Sequence, residues 1–171
     1  MDFLLQHETL TQWLVEYGPI ALFFLLALEI IALPIPGEPL MIVTGIFLAN
    51  GELPLVTTCS AAYIGAAVGI SISYLLGRTA GSFLVVNYGD RLGLTTPRLN
   101  KVTGWFGRFG KWTLILGYFV PGIRHFTGFT AGMTQLNYNQ FMLFAYIGAL
   151  VWVSTFLSLG YFLGEYFTSP L

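Results

Sequence analysis

Three ionisable side chains stand where the sequence around them is otherwise apolar. Glu29 lies inside the run Tyr17 to Leu33, Glu38 directly follows Pro34-Ile35-Pro36-Gly37, and Arg124 stands three residues beyond Pro121 in Pro121-Gly122-Ile123-Arg124. Proline removes a backbone donor and clashes with the preceding turn, so Pro34, Pro36 and Pro121, with Gly37 and Gly122 beside them, break any helix that enters them. An acid or an arginine at the centre of a membrane helix costs about 2.5 to 3.5 kcal/mol on insertion scales, so each of the three needs a partner, water or a functional use. Two uses suit these residue types: a buried structural Glu-Arg pair, or a site for an ion or a charged substrate. Glu38 also suits the start of the following helix, where a carboxylate accepts backbone hydrogen bonds. With two histidines, His7 and His125, and one cysteine, Cys59, neither a histidine-rich metal cluster nor a Cys-His dyad is apparent. There is no GxxxxGK[ST] loop for ATP. The reading is therefore not an enzyme, with no catalytic residue, no metal ligand and no cofactor.

The elements that position these residues follow from hydropathy. The 171 residues are 56% hydrophobic and 9% charged, with a mean hydropathy of +0.75, far from the roughly quarter-charged composition of a soluble domain. At this length a globular fold buries only about 70% of its extended-chain surface, and the remainder could not be covered by so few charges. The chain reads as one all-α integral membrane domain over residues 1–171, placed in the cell membrane as a multi-pass protein. Met1 to Glu16 carries Asp2, Glu8 and Glu16 and no basic residue, so no cleavable secretory signal is expected.

Tyr17 to Leu33 and Pro39 to Ala49 fall short of comfortable spanning length and read as the two arms of a broken hairpin, closed by Asn50-Gly51-Glu52. Leu53 to Leu76, 24 residues, is long enough to cross. Within it Ala61, Gly65, Gly69, Ser73 and Gly77 recur every fourth residue, a small-residue stripe for close helix packing that also permits a homodimer. Thr96-Pro97 opens an amphipathic segment with Leu99, Val102, Phe106 and Phe109 on one side and Arg98, Lys101, Arg108 and Lys111 supplying charge. It suits either the inner membrane surface or packing against the bundle. Trp112 to Phe119 and Phe126 to Met133 form a second pair of apolar arms around Pro121-Gly122, and Leu136 to Leu163 gives 28 residues without an acid or base, enough for a long or tilted span.

The first 52 residues hold six acids and no Lys or Arg, whereas Arg78 to Lys111 holds six basic residues and one acid, Asp90. Short loops rich in Lys and Arg stay cytoplasmic, which places the centre of the chain inside and Glu52 outside, and accounts for the basic cluster without nucleic acid. The halves also resemble one another. Pro36-Gly37 and Pro121-Gly122 are 85 residues apart, Tyr63-Ile64-Gly65-Ala66 and Tyr146-Ile147-Gly148-Ala149 are 83 apart, and Tyr74-Leu75-Leu76-Gly77 and Tyr161-Phe162-Leu163-Gly164 are 87 apart. The expected architecture is two inverted repeats, 17–77 and 112–164, each a proline-broken re-entrant helical hairpin plus a spanning helix. A cytoplasmic basic connector, 78–111, carries the amphipathic helix between them. In secondary transporters of this kind the broken helices meet near the midplane and form the substrate site.

The same residues resemble a known family, the DedA or VTT-domain membrane proteins. Glu29-Ile30-Ile31-Ala32-Leu33-Pro34-Ile35-Pro36-Gly37-Glu38 is similar to that family's Glu, spacer, Pro-x-Pro-x-Glu arrangement. Gly117-Tyr118-Phe119-Val120-Pro121-Gly122-Ile123-Arg124, followed by His125-Phe126 and Thr130-Ala131-Gly132, resembles its Gly-Arg-Phe-x-Pro-Gly-x-Arg element, with Tyr118 in place of the first arginine. The resemblance covers about residues 15 to 165 and implies movement of a phosphate-bearing lipid between leaflets, undecaprenyl phosphate or phosphatidylethanolamine being the examples. It implies a substrate-binding set of Arg124, His125, Glu29, Glu38 and Tyr118, with protons or ions as candidate coupling partners. Arginine suits phosphate because its planar donors engage two oxygens. The alternatives of other classes are a small-ion or proton-coupled membrane-homeostasis transporter and a structural membrane adaptor.

Overall fold

The computed structural model describes the backbone of residues 2–31, 36–88, 91, 96–120 and 123–168, and side chains within these ranges from residue 16 onward except at 82, 86, 88, 96, 98 and 168. Pro34, Pro121 and Gly122 lie outside the described residues. The helices are α1 (Asp2–Ile31), α2 (Gly37–Ala49), α3 (Leu55–Tyr88), α4 (Thr96–Phe109), α5 (Thr113–Leu116), α6 (Arg124–Met133) and α7 (Tyr138–Thr168). Short 3₁₀ turns, Gly110–Trp112 and Gly117–Phe119, flank α5. No strand occurs among the described residues.

Two of these helices, over Leu55–Gly81 and Tyr138–Phe167, are long and apolar enough to cross a membrane. Both faces of α7 are apolar. Phe141, Ala145, Ala149 and Trp152 are buried, whereas Leu143, Ile147, Leu150, Leu159 and Phe162 are exposed, Phe162 at 66%. A helix hydrophobic all round has hydrocarbon on its outer side.

Helix ends differ from the hydropathic ones in both directions. α1 begins at Asp2, well before the apolar run, because a backbone helix propagates through its polar first turns at little cost. α3 continues about three turns beyond Gly77-Arg78-Thr79 into the basic connector. The segment Trp112 to Phe119, by contrast, is a single α-turn between two 3₁₀ turns, and α6 has ten residues, about 15 Å of rise. That is roughly half of a hydrocarbon core about 30 Å thick.

The second arms, α2 and α6, end in the same way. At the end of α2, Glu52 N–H donates to Phe47 O at 2.9 Å and Gly51 N–H to Leu48 O at 3.1 Å, the paired bonds of a Schellman cap, with Gly51 at φ +73°. At the end of α6, Leu136 N–H donates to Ala131 O at 3.0 Å and Gln135 N–H to Gly132 O at 2.9 Å, with Gln135 at φ +53°. Asn137 then opens α7, its Oδ1 accepting from Asn139 N–H at 3.0 Å.

The most extensive pairings are α1 with α3, α2 with α7 and α3 with α6. The short helices α2 and α6 thus lie on the long helices α7 and α3 respectively. The small-residue stripe of α3 makes the close approaches. A Cβ at Gly65 would stand 2.6 Å from the Phe23 carbonyl oxygen of α1, one at Gly69 would stand 2.7 Å from that of Ala27, and Gly77 meets the backbone of Phe129 in α6. On α7, Gly148 faces Leu114 and Ile115 of α5, while Gly164 faces Ala49 and Ile46 of α2. The sequence-matched glycines therefore play matching parts: Gly65 and Gly148 each receive the first arm of their own half, Gly77 and Gly164 the second arm of the other. Between the two uses open for α4, the structure shows packing on α6, with Leu99, Val102, Trp105 and Phe106 joining Ile123, Phe126 and Phe129 in a second small core. Lys101 and Arg108 stay exposed.

Candidate functional site

The ends of three broken helices meet around one guanidinium. α1 delivers Glu29 within its last turn, α2 delivers Glu38 in its first turn, and α6 delivers Arg124 as its first residue. Arg124 Nη2 donates to Glu29 Oε1, and Arg124 Nη1 donates to Glu38 Oε1 at 2.5 Å. These two ion pairs join residues 95 and 86 apart in sequence. Glu29 is fully buried and the Arg124 side chain is 5% exposed, whereas that of Glu38 is 23% exposed, so the site has one wet carboxylate and one dry one.

Burial at this level requires both partners. Removing one member of a buried ion pair typically costs about 3 to 5 kcal/mol, because an uncompensated charge is left behind. Glu38 has an additional reason for its place, since an acid in the first turn of α2 lies at the positive end of that helix. Arg124 sits at the corresponding end of α6, where a cation is disfavoured, and the two carboxylates offset that cost. With both acids ionised the trio carries one negative charge in excess. Gly37 lets Glu29 approach: a Cβ there would lie 2.7 Å from Glu29 Cδ, so any larger residue displaces the carboxyl group.

Further groups close the site. The guanidinium carbon of Arg124 lies 5.0 Å from the Trp152 ring centroid, a cation–π arrangement inside the bundle. Tyr118, from the 3₁₀ turn Gly117–Phe119, is buried with its ring 5.8 Å from that of Trp152. His125 Nδ1–H donates to the Glu29 carbonyl oxygen at 3.1 Å, tying α6 to the end of α1 and aiming that nitrogen away from the carboxylates. Three buried polar atoms here, Arg124 Nε, Tyr118 OH and Trp152 Nε1, have no hydrogen-bond partner among the described residues. Buried polar groups are normally paired, so their clustering marks a place with spare capacity for a polar ligand.

The structure brings together Glu29, Glu38, Arg124, His125 and Tyr118. Pro36 and Gly37 stand at the break beside them, whereas Gly65 and Gly69 lie at the α1–α3 packing contact. Trp152 is the site residue that motif reading did not select. Its signal was position: tryptophan in membrane proteins gathers at the interfaces, and Trp152 falls in the middle of a spanning helix. Among the described residues no group of three His, Cys, Asp or Glu side chains is placed to hold a metal ion.

Comparison with known proteins identifies the family. The VTT domain model matches residues 35–162. YbfM, an uncharacterized membrane protein of Bacillus subtilis, is 38% identical over 92% of this chain and 97% of its own length. Protein DedA of Escherichia coli K12 is 33% identical over 96% of this chain and 78% of its own. Undecaprenyl phosphate transporter A of Staphylococcus aureus is 25% identical over 94% of this chain and 81% of its own. No solved structure matches significantly. With two apolar spanning helices and membrane-protein relatives along nearly its whole length, this is an all-α multi-pass membrane protein, and the chain belongs to the DedA family of VTT-domain membrane proteins.

Proposed function

We propose that the protein moves a phosphate-bearing lipid between membrane leaflets, with Arg124 as the phosphate-binding group. The observation that carries this reading is the double engagement of Arg124 by Glu29 and Glu38 at the meeting point of broken helices. A guanidinium already holding two oxygens has the fork that a phosphate needs, and the carboxylates act as internal competitors that the phosphate displaces. The more exposed side of the trio is Glu38, so exchange begins there, while Glu29 stays paired in the interior. Entry of an anion into a site that already has one negative charge in excess requires that a carboxyl group take up a proton or that a cation accompany the lipid. This is the physical basis for coupling to protons or ions. Undecaprenyl phosphate, which one relative is named for transporting, and phosphatidylethanolamine are the substrates to compare, and the protein acts as a transporter rather than an enzyme.

The reading includes inverted-repeat architecture with re-entrant hairpins. Reciprocal packing supports it, since α2 lies on α7 and α6 on α3. So do the matched glycines and the Schellman caps at Gly51 and Gln135. In such folds the half-helix N-termini face anionic substrate groups, and the starts of α2 and α6 both lie at the site. The test is lipid transfer in liposomes per folded molecule, with polyprenyl phosphate and phosphatidylethanolamine in separate arms, each with and without a proton gradient. Arg124→Lys should retain part of the transfer and Arg124→Gln should lose about tenfold or more, the scale of one charge-assisted hydrogen-bonded contact. Wild-type transfer by folded Arg124→Gln would defeat the phosphate role and favour ion transport with an indirect lipid effect.

A further inference from the structure

A lateral cavity of about 480 Å³ lies between α3 and α7. Its lining includes Tyr63 of α3 and Asn139, Leu143, Tyr146, Ile147 and Leu150 of α7. Leu143, Ile147 and Leu150 are 57%, 42% and 52% exposed, so the cavity is an open groove on the surface that faces hydrocarbon. No charged side chain lines it among the described residues. From Asn139 to Leu150 the groove follows α7 for about 16 Å at about 1.5 Å per residue. That is half of a hydrocarbon core about 30 Å thick, the depth of one leaflet.

The floor of the groove is not plain apolar surface. Tyr63 and Tyr146 are the leading residues of the two matched tetrapeptides, and the Tyr146 hydroxyl lies 2.9 Å from Ser71 Oγ. The buried Tyr118 is near enough to Tyr63 and Tyr146, and to Arg124 and Glu29, to interact electrostatically with all four. Asn139, in the first turn of α7, supplies the polar end at the membrane surface.

We propose that this groove holds one hydrocarbon chain of a membrane phospholipid, its head toward Asn139 and its chain end beside Tyr63 and Leu150. Two features select that occupant: the length of one leaflet, and an uncharged, mostly aliphatic lining open to the bilayer, with Asn139 at its interfacial end and tyrosine hydroxyls on its floor. The volume lies within the roughly 300 to 1,000 Å³ of small-ligand sites, which are likewise mostly apolar with a few placed polar groups. If lipid transfer is the function, a chain held here keeps a lipid beside the bundle before its head moves to the charged site. The proposal rests on that reading only for the lipid's onward path.

The experiment is photolabelling of the full chain in nanodiscs containing a trace of phosphatidylglycerol with a diazirine midway along one acyl chain. Adducts are mapped by mass spectrometry. Adducts at Met142, Tyr146 and Ile147 should exceed those at Phe24 and Leu159, which are more exposed than Ile147, by about tenfold, the preference expected of one filled apolar site over open lipid contact. Leu143→Trp, which fills the groove from its rim, should remove that excess. Val43→Trp, at an exposed position of α2 outside the groove, should leave it unchanged. Even labelling of all exposed apolar positions in the wild-type protein overturns the proposal without reference to any variant. Groove labelling in a protein that transfers no lipid supports the groove and defeats the transport reading; transfer without groove labelling does the reverse.

Discussion

Arg124 Nη1 donates to Glu38 Oε1 at 2.5 Å and so ties the first turn of α6 to the first turn of α2, 86 residues earlier. The same guanidinium also pairs with Glu29 of α1, and this bridging gives the ion pairs two separable roles, one in folding and one in binding. If neutralising buried carboxylates is the only role, Arg124→Gln lowers folded yield and the double variant with Glu29→Gln restores yield and lipid transfer together. The phosphate role predicts restored yield without restored transfer. Yield by size-exclusion chromatography and transfer per folded molecule separate the two. The single variant should cost about 3 to 5 kcal/mol of stability, as expected for an orphaned buried charge.

Tyr118 offers a cleaner separation, because its buried hydroxyl has no hydrogen-bond partner among the described residues. Tyr118→Phe removes an unpaired polar atom and keeps the ring against Trp152. Thermal stability should hold or rise by up to about 1 kcal/mol, while transfer falls if the hydroxyl contacts the lipid head. A loss of stability by thermal melt would show that the hydroxyl is paired within the folded protein.

The glycines of the long helices predict a contrast. Gly65→Ala and Gly148→Ala each place a Cβ about 3 Å or less from backbone of α1 or α5 and should destabilise by about 1 to 3 kcal/mol, the usual cost of overpacking. Gly107→Ala, in α4 with open space around it, should be neutral or stabilise by up to about 1 kcal/mol through helix propensity. Equal losses at all three positions in thermal melts would refute the packing argument.

Gln135 holds φ +53° at the end of α6, where α2 has Gly51 at +73° in the matching cap. A side chain in the left-handed region costs about 1 to 2 kcal/mol, so Gln135→Gly should raise stability by about 1 kcal/mol once the extra freedom of the unfolded chain is subtracted. An unchanged or lower melting temperature counts against this cap geometry.

Topology is tested by single-cysteine labelling in a Cys59→Ala background. Glu52→Cys, in the turn between α2 and α3, should react with an impermeant maleimide added outside. Asn100→Cys, on the exposed face of α4, should react only after permeabilisation. The reversed pattern would invert the orientation argued from the basic connector, though not the relation between the halves.

Composition and apolar run length, both local properties, were enough to read the membrane class, the two long spanning helices and the breaks near Pro36 and Pro121, because hydrocarbon demands continuous apolar surface and internally bonded backbone wherever the chain crosses. The rarity of charge in those runs also singled out Glu29, Glu38 and Arg124, each too costly to place without a purpose. Pairing was another matter. One guanidinium takes both carboxylates, His125 bonds the Glu29 carbonyl instead of a carboxylate, and Trp152 covers the cation. These contacts join residues 28 to 96 positions apart, and no local pattern encodes which partner is chosen. The amphipathic spacing of α4 was equally compatible with a lipid surface and with α6. Only the packed bundle decided, by offering Ile123, Phe126 and Phe129 as an apolar surface that Val102 and Phe106 could cover.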